Sequence, residues 1–266
     1  MKELRLANKI ITTLIKDRVH YPDRLIVDTL TTIGRCGVLL LLYRYVFDLH
    51  QGTINNTPFI IAAWSMFFYF SFSVLRLRDI AKAIMQDVQS GTVEILLNKP
   101  ISYLAYRMWW QVGSGLYSFL VISIVGTILM ILFVGIPSTM TTPFFFSTLF
   151  LAYILGMFLS LLLYSIVGLL AFWIEEVRPV FWMVDKSVMI LGGSYLPVAL
   201  FPSIMYKLAV WSPFGASQFI THTVNDSWQT HWYEFMGIQL FWIAILGTIM
   251  YFLFNKARQR LSVNGG

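Results

Sequence analysis

From Met108 to Ile174 the chain carries no Asp, Glu, Lys or Arg. A run of that length offers nothing to cover a water-facing surface, since soluble domains hold about 25 % charged residues. One helix crossing about 30 Å of hydrocarbon uses about 20 apolar residues, so the run is too long for a single span. It breaks at Gly135-Ile-Pro-Ser-Thr-Met-Thr-Thr-Pro143, where turn-forming residues cluster. Two spans are expected, about 110–134 and 144–173, joined by a tight hairpin. The whole composition, 58 % hydrophobic and 12 % charged, excludes a soluble enzyme, a disordered chain and a disulfide scaffold. The single cysteine, Cys36, can close no internal disulfide and has no metal-ligand spacing.

The uncharged run from Pro58 to Leu75 gives a span over 58–75. Leu25 to Phe47 gives one over 25–47, with Arg35 inside it, and Phe235 to Phe254 gives the last, 235–254. A sixth, 179–195, contains Asp185 and Lys186. The expected fold is therefore an all-α integral membrane protein: six transmembrane helices in one domain over 1–266. With six spans, all but four of the 19 Lys and Arg fall on one side. They lie before the first span (Lys2, Arg5, Lys9, Lys16, Arg18, Arg24) and between the second and third (Arg76, Arg78, Lys82, Lys99, Arg107). Arg178 and the tail residues Lys256, Arg258 and Arg260 complete the set. The positive-inside rule then puts both termini in the cytoplasm of a plasma or inner membrane. The net charge of +6 marks a membrane face, with no nucleic-acid partner expected.

Residues 1–24 are not a secretory signal, because Lys9 and Lys16 interrupt the apolar core. Leu4, Ala7, Ile10, Ile11, Leu14 and Ile15 recur at helical spacing among the lysines, which suits an amphipathic helix lying on the anionic inner surface. The cytoplasmic stretch 76–109 is too long for a simple turn. Ile80, Ala83, Ile84 and Val88 form a helical stripe, with Asp79, Lys82, Gln86 and Asp87 off it. Ser90-Gly91 stops that helix. Thr92 is expected to cap a second short helix with Glu94 in its first turn, and Asn98-Lys99-Pro100 ends it. On the opposite side, 196–232 holds Pro197, Pro202 and Pro213 yet stays apolar, which predicts short re-entrant helices before the last span. Trp211, Trp228 and Trp232 suit an outer aromatic belt, as Trp109, Trp110 and Trp173 suit an inner one.

The pattern Val88-Gln-Ser-Gly-Thr-Val-Glu-Ile-Leu-Leu-Asn-Lys-Pro-Ile-Ser102 resembles the Gly…Leu…Pro coupling segment of ABC transporter permeases of the type-2 exporter family. Gly193-Ser-Tyr-Leu-Pro-Val-Ala-Leu-Phe-Pro202, followed by Trp211-Ser-Pro-Phe214, resembles that family's Gly…Pro…Pro…Pro-Phe segment before the last span. The resemblance implies an exporter's membrane subunit that pairs with a second permease, identical or paralogous, on two copies of a cytosolic ABC ATPase. The implied coupling role falls on Gly91, Glu94, Leu97 and Pro100, with Thr92 and Lys99 in the same segment. The implied outer gate spans Gly193, Pro197, Pro202, Pro213 and Phe214. ATP and Mg would sit in the partner ATPase, since no Gly-x-x-x-x-Gly-Lys-Ser/Thr loop occurs here and no cofactor is expected on this chain. A hydrophobic or amphipathic small molecule, a lipid or a peptide all remain open as cargo.

Two rival readings fit the residues less well. A secondary transporter or channel would need no ATPase, but such carriers show repeated halves with paired broken helices, and this chain shows no such repeat. An intramembrane CAAX-type protease would use Glu-Glu-x-x-x-Arg with His-x-x-x-Asn/Asp. Glu175-Glu176 and His222-x-x-x-Asp226 are present, but Val180 replaces the arginine and the topology puts the two halves on opposite sides. The acids read better as favourable charge at a helix start before Pro179. Among charges inside spans, Asp28, Thr31, Thr32 and Arg35 share one face of the first span. Burying Arg35 costs at least about 2.5–3.5 kcal/mol on insertion scales, so a partner is expected. Asp185 is the acid assigned to it. Lys186, adjacent to Asp185, does not face it. Gly113, Gly115, Gly126, Gly156 and Gly168 are expected to permit close helix packing.

Overall fold

A computed structural model of the protein describes residues 2–20, 23–98 and 101–264, with side chains over 5–20, 23, 25–98 and 101–260. Lys99, Pro100 and the side chains of Lys2, Leu4 and Arg24 lie outside the described residues. Among the described residues the regular structure is helical apart from one short hairpin. In order come α1 (Lys2–His20), α2 (Asp23–Leu49), the strands β1 (Thr53–Ile54) and β2 (Thr57–Pro58), α3 (Phe59–Ser73), α4 (Asp79–Gln89), α5 (Thr92–Leu97) and α6 (Tyr103–Phe133). After a 3-10 turn at Ser138–Thr141 follow α7 (Pro143–Leu169), α8 (Arg178–Leu191), α9 (Ser203–Trp211), α10 (Pro213–Ala216) and α11 (Trp228–Asn264). The two strands pair antiparallel, Thr53 opposite Pro58 and Ile54 opposite Thr57.

Among the described residues, four helices are long and apolar enough to cross a membrane: Leu25–Leu49, Tyr103–Phe133, Pro143–Phe172 and Trp228–Arg260. The expected spans 58–75 and 179–195 correspond to α3, with 15 residues, and α8, with 14. At 1.5 Å per residue these reach about 20 Å, short of the hydrocarbon thickness. The charged ends that bounded the other expectations do not stop the helices. Arg107 lies within α6 and Lys256 within α11, because a helix continues past the hydrocarbon wherever nothing breaks it.

The stops are where the chain has left-handed or capping chemistry. Gly135, with φ +95°, follows α6, and Thr142 Oγ1 accepts from Phe145 N to start α7 with Pro143 in its first turn. Burial then sorts the helices. The apolar window of α7 is 61 % buried, against 6 % for α2, 17 % for α6 and 11 % for α11. Thus α7 is the axis, and the other three leave most of their apolar surface exposed. The short α3 is buried continuously from Ile61 to Phe72, which is where a helix apolar on every side belongs.

In lipid, helices gain contact by close approach more than by hydrophobic burial, and all five small residues named above sit at such approaches. A Cβ at Gly168 would lie 2.8 Å from Ile84 Cβ, where α4 meets α7. One at Gly113 would lie 2.9 Å from Leu14 Cδ1, where α1 lies on α6, and one at Gly115 would lie 2.6 Å from Leu75 O. Gly126 meets Phe67, and Gly156 meets the carbonyl of Ser217. The amphipathic α1 thus rests on α6 through Ile11 and Leu14 while Arg5, Lys9 and Lys16 stay exposed.

Trp228 corrects the belt expectation: it is 1 % exposed, donates Nε1–H to Thr148 Oγ1 at 3.0 Å and stacks on Phe235. An indole with a hydroxyl acceptor beside it is a core residue. Trp211, at 65 % exposure, keeps a surface position.

Candidate coupling helix and polar cleft

The segment from α4 to α6 folds as two helices against a third. Gly91 takes φ +72°, the left-handed turn expected between α4 and α5. Thr92 is not the cap. It is the first residue of α5, the cap position is Gly91 itself, and the Thr92 hydroxyl meets Ser90 Oγ at 2.8 Å. Without a side-chain cap, α5 is held by Val93, 1 % exposed, while Glu94 and Ile95 stand out from the protein and Leu97 is half-buried. The stripe on α4 is Ile80, Ala81, Ile84 and Met85.

Asp87 departs from the solvent-facing place expected of it. It is 5 % exposed and accepts from Tyr103 Oη at 2.6 Å and Arg107 Nε at 2.7 Å, with Arg107 Nη2 on its second oxygen. The bidentate fork ties the end of α4 to the start of α6, so α5 hangs from a closed loop. Gln89 Nε2 also donates to Glu175 O, 3.3 Å away, tying the same loop to the start of α8.

A second constellation gathers where α2, α3, α4, α7 and α8 meet, around a cavity of about 380 Å³. The expected Arg35–Asp185 pair is absent. Asp185, 2 % exposed, faces Arg78 Nη1 at 3.2 Å and accepts from Tyr164 Oη at 3.1 Å. The turn after α3 points Arg78 back at α8, which residue order alone does not reveal. Burial pulls the Arg78 guanidinium down, and the attraction and hydrogen bond of Asp185, with Asp79, outweigh it, so its pKa ends above the ordinary value.

Asp28 likewise finds Arg76, at 2.5 Å. Arg76 has φ +51°, a conformation uncommon for a side-chain-bearing residue, and its carbonyl accepts from Gln111 Nε2 at 2.9 Å. The ion pair and that hydrogen bond hold the unusual turn. Lys186 points elsewhere, over the Trp182 ring at 5.4 Å. Of the two acids expected at the start of α8, Glu176 takes the role: its Oε1 accepts from Arg178 N at 3.2 Å.

The proposed gate residues sit in a run of short helices at the end of the bundle that also holds the α6–α7 turn. Thr139 Oγ1 donates to Val224 O across that end. Gly193 has φ +85°, Pro197 is buried before a 3-10 turn at Val198–Leu200, and Pro202 precedes α9. Ser212 Oγ accepts from Gly215 N to cap α10, with Pro213 in its first turn and Phe214 half-buried. His222 is enclosed by Tyr206, Phe219 and Phe235, and burial pushes it down to about 4.

Residues 34–265 match the family described as ABC-2 family transporter protein. The chain belongs to the ABC-2 transporter family. No individual curated protein matches it. As an ABC-2 transporter it is an integral membrane protein and the membrane component of a transport system, of a kind that lacks a catalytic domain of its own and typically works with ATPase subunits.

The ABC-2 sequence displayed Asp28, Asp185 and Arg35 because charges inside apolar runs stand out. It concealed Arg76, Arg78 and Asp87, which look like ordinary loop charges. The available signal was that Arg76 and Arg78 directly follow an apolar run, while α2 and α8 each carry an acid within an apolar stretch.

Proposed function

We propose that this chain is the permease subunit of an ATP-driven exporter, with six spans and both termini cytoplasmic. It works beside a second permease, identical or paralogous, on two separate ATPase subunits that bind ATP and Mg. In this reading α3 and α8 complete the six crossings together with the turns and short helices that follow them. The segment 196–232 lies outside as the gate, and 76–109 is the cytoplasmic coupling loop.

The observation that carries the reading is the build of the α4–α5–α6 loop. A six-residue helix exposes Glu94 and Ile95 and is fixed behind by Val93 and by the Asp87–Arg107 fork. A displacement applied to α5 therefore reaches α6 through Arg107 and α7 through the α4 contact at Gly168. A free loop would absorb the same displacement.

Glu94→Lys tests it in the permease co-expressed with its ATPase. Reversing the charge opposes the helix dipole by about 0.3–1 kcal/mol and alters any charge pair across the interface. Membrane insertion and basal ATP hydrolysis are expected to persist, while transport and cargo-stimulated hydrolysis are lost. Normal transport by Glu94→Lys would make 76–109 a mere connector.

A further inference from the structure

The polar cleft has an uneven charge count. Asp28, Asp79 and Asp185 are each paired, with Arg76, Lys82 and Arg78. Arg35, on the same wall, has no acid within reach among the described residues. It lies about 15 Å along the apolar part of α2 from Leu25, a depth at which a lone cation faces water, protein or an anion. Two further polar atoms of the lining are buried without a partner, Ser160 Oγ and Gln218 Oε1, on residues 1 % and 6 % exposed. A site with one cation in excess and a free hydroxyl is built to receive an acidic group, and a head that keeps a proton, as a phosphate monoester does, can also meet the free amide oxygen.

Against another face of the same helix runs a second cavity, of about 330 Å³, between α2, α3 and α6. Its walls include Ile33, Leu40, Leu129, Met130 and Phe133. It is mostly apolar where the cleft is polar, although Arg44 also lines it, and Thr32 lines both. Each volume falls in the range of small-ligand sites, about 300–1,000 Å³. We infer that the two cavities bind one anionic amphiphile, its carboxylate or phosphate head on Arg35 in the cleft and its alkyl chain in the α2–α6 groove. A cationic amphiphile is repelled by Arg35, a neutral one forgoes the ion pair, and a free anion leaves the groove unfilled. The inference rests on the permease reading in taking this ligand as cargo.

The test uses the full chain in phosphatidylcholine nanodiscs without ATPase. It measures displacement of the fluorescent fatty acid cis-parinaric acid by dodecyl phosphate, laurate, dodecanol, dodecyltrimethylammonium and inorganic phosphate. Dodecyl phosphate and laurate are expected to displace it at about tenfold lower concentration than the neutral or cationic chains, the size of one charge-assisted hydrogen bond. Inorganic phosphate is expected not to displace it. Arg35→Gln should weaken the probe about tenfold and erase the head-group preference, and Arg35→Lys should keep most of it. Leu129→Trp, which fills the groove, should weaken dodecyl phosphate more than hexyl phosphate.

Equal binding by Arg35→Gln, or displacement by inorganic phosphate alone, overturns the site. So does dissociation of a permease dimer in Arg35→Gln, because Arg35 would then answer an acid of the second copy. The exporter reading fails separately, if dodecyl phosphate binds as described yet never stimulates ATP hydrolysis when the partner ATPase is added.

Discussion

Asp185 is a carboxylate buried on α8 whose cation comes from the turn between α3 and α4. The Arg78 side chain is 46 % exposed, so solvent screens the pair and its coupling is modest, about 0.5–1.5 kcal/mol. A double-mutant cycle of Arg78→Leu with Asp185→Leu, read by thermal unfolding in detergent, is expected to show that coupling. The cycle of Arg35→Leu with Asp185→Leu is expected to add without interaction, and coupling in the second cycle alone would restore the rejected pair. His222 gives a pH signature at the same scale. Its folded pKa is depressed to about 4 from 6.5, so above 6.5 it is neutral in both states and contributes nothing. As pH falls through that window the unfolded chain takes up the proton first, and stability drops by about 3 kcal/mol before levelling off near 4. In His222→Phe that part of the acid destabilisation should vanish from melting curves taken between pH 8 and 4. Sequence made Asp28 and Asp185 visible but not their partners, because ion pairs form across elements and residue order gives no distance.

At the scale of elements, the contact of α4 with α7 has no slack at Gly168. A side chain there meets Ile84 Cβ at 2.8 Å and Ala81 O at 3.0 Å, both on the rigid face of α4. Gly168→Leu is expected to lower stability by about 1–3 kcal/mol and to weaken cargo-stimulated hydrolysis by the partner. Gly237→Leu, at a glycine of α11 with open space around it, should leave both nearly unchanged. The long helices were legible from apolar runs, and their centres stand where expected. Their ends were not, since charged residues such as Arg107 and Lys256 mark the edge of hydrocarbon and not the edge of a helix. The cap of α5 was misplaced for a related reason: a left-handed Gly91 leaves Thr92 already inside the helix.

For the molecule as a whole, the family and the membrane setting were readable from the order of two weak motifs within an apolar chain. The lengths of α3 and α8 were not readable, because an apolar run shows which residues avoid water and not how many of them form one helix. Cysteine labelling in a Cys36→Ser background settles what those helices cross. Thr53→Cys and Lys207→Cys should react from outside, while Asn98→Cys and Glu175→Cys should react only after the membrane is opened. Matching sides for Thr53 and Asn98 would mean that α3 does not cross, and matching sides for Glu175 and Lys207 the same for α8.

In the proposed exporter, energy for transport enters this chain from a separate ATPase through α5. Purification from native membranes in mild detergent tests it most directly, with ATP hydrolysis measured on what co-elutes. A cytosolic ABC ATPase is expected to co-elute in two copies per permease pair, released or uncoupled by Glu94→Lys. An oligomer of this chain that transports its cargo with no ATPase present would contradict it.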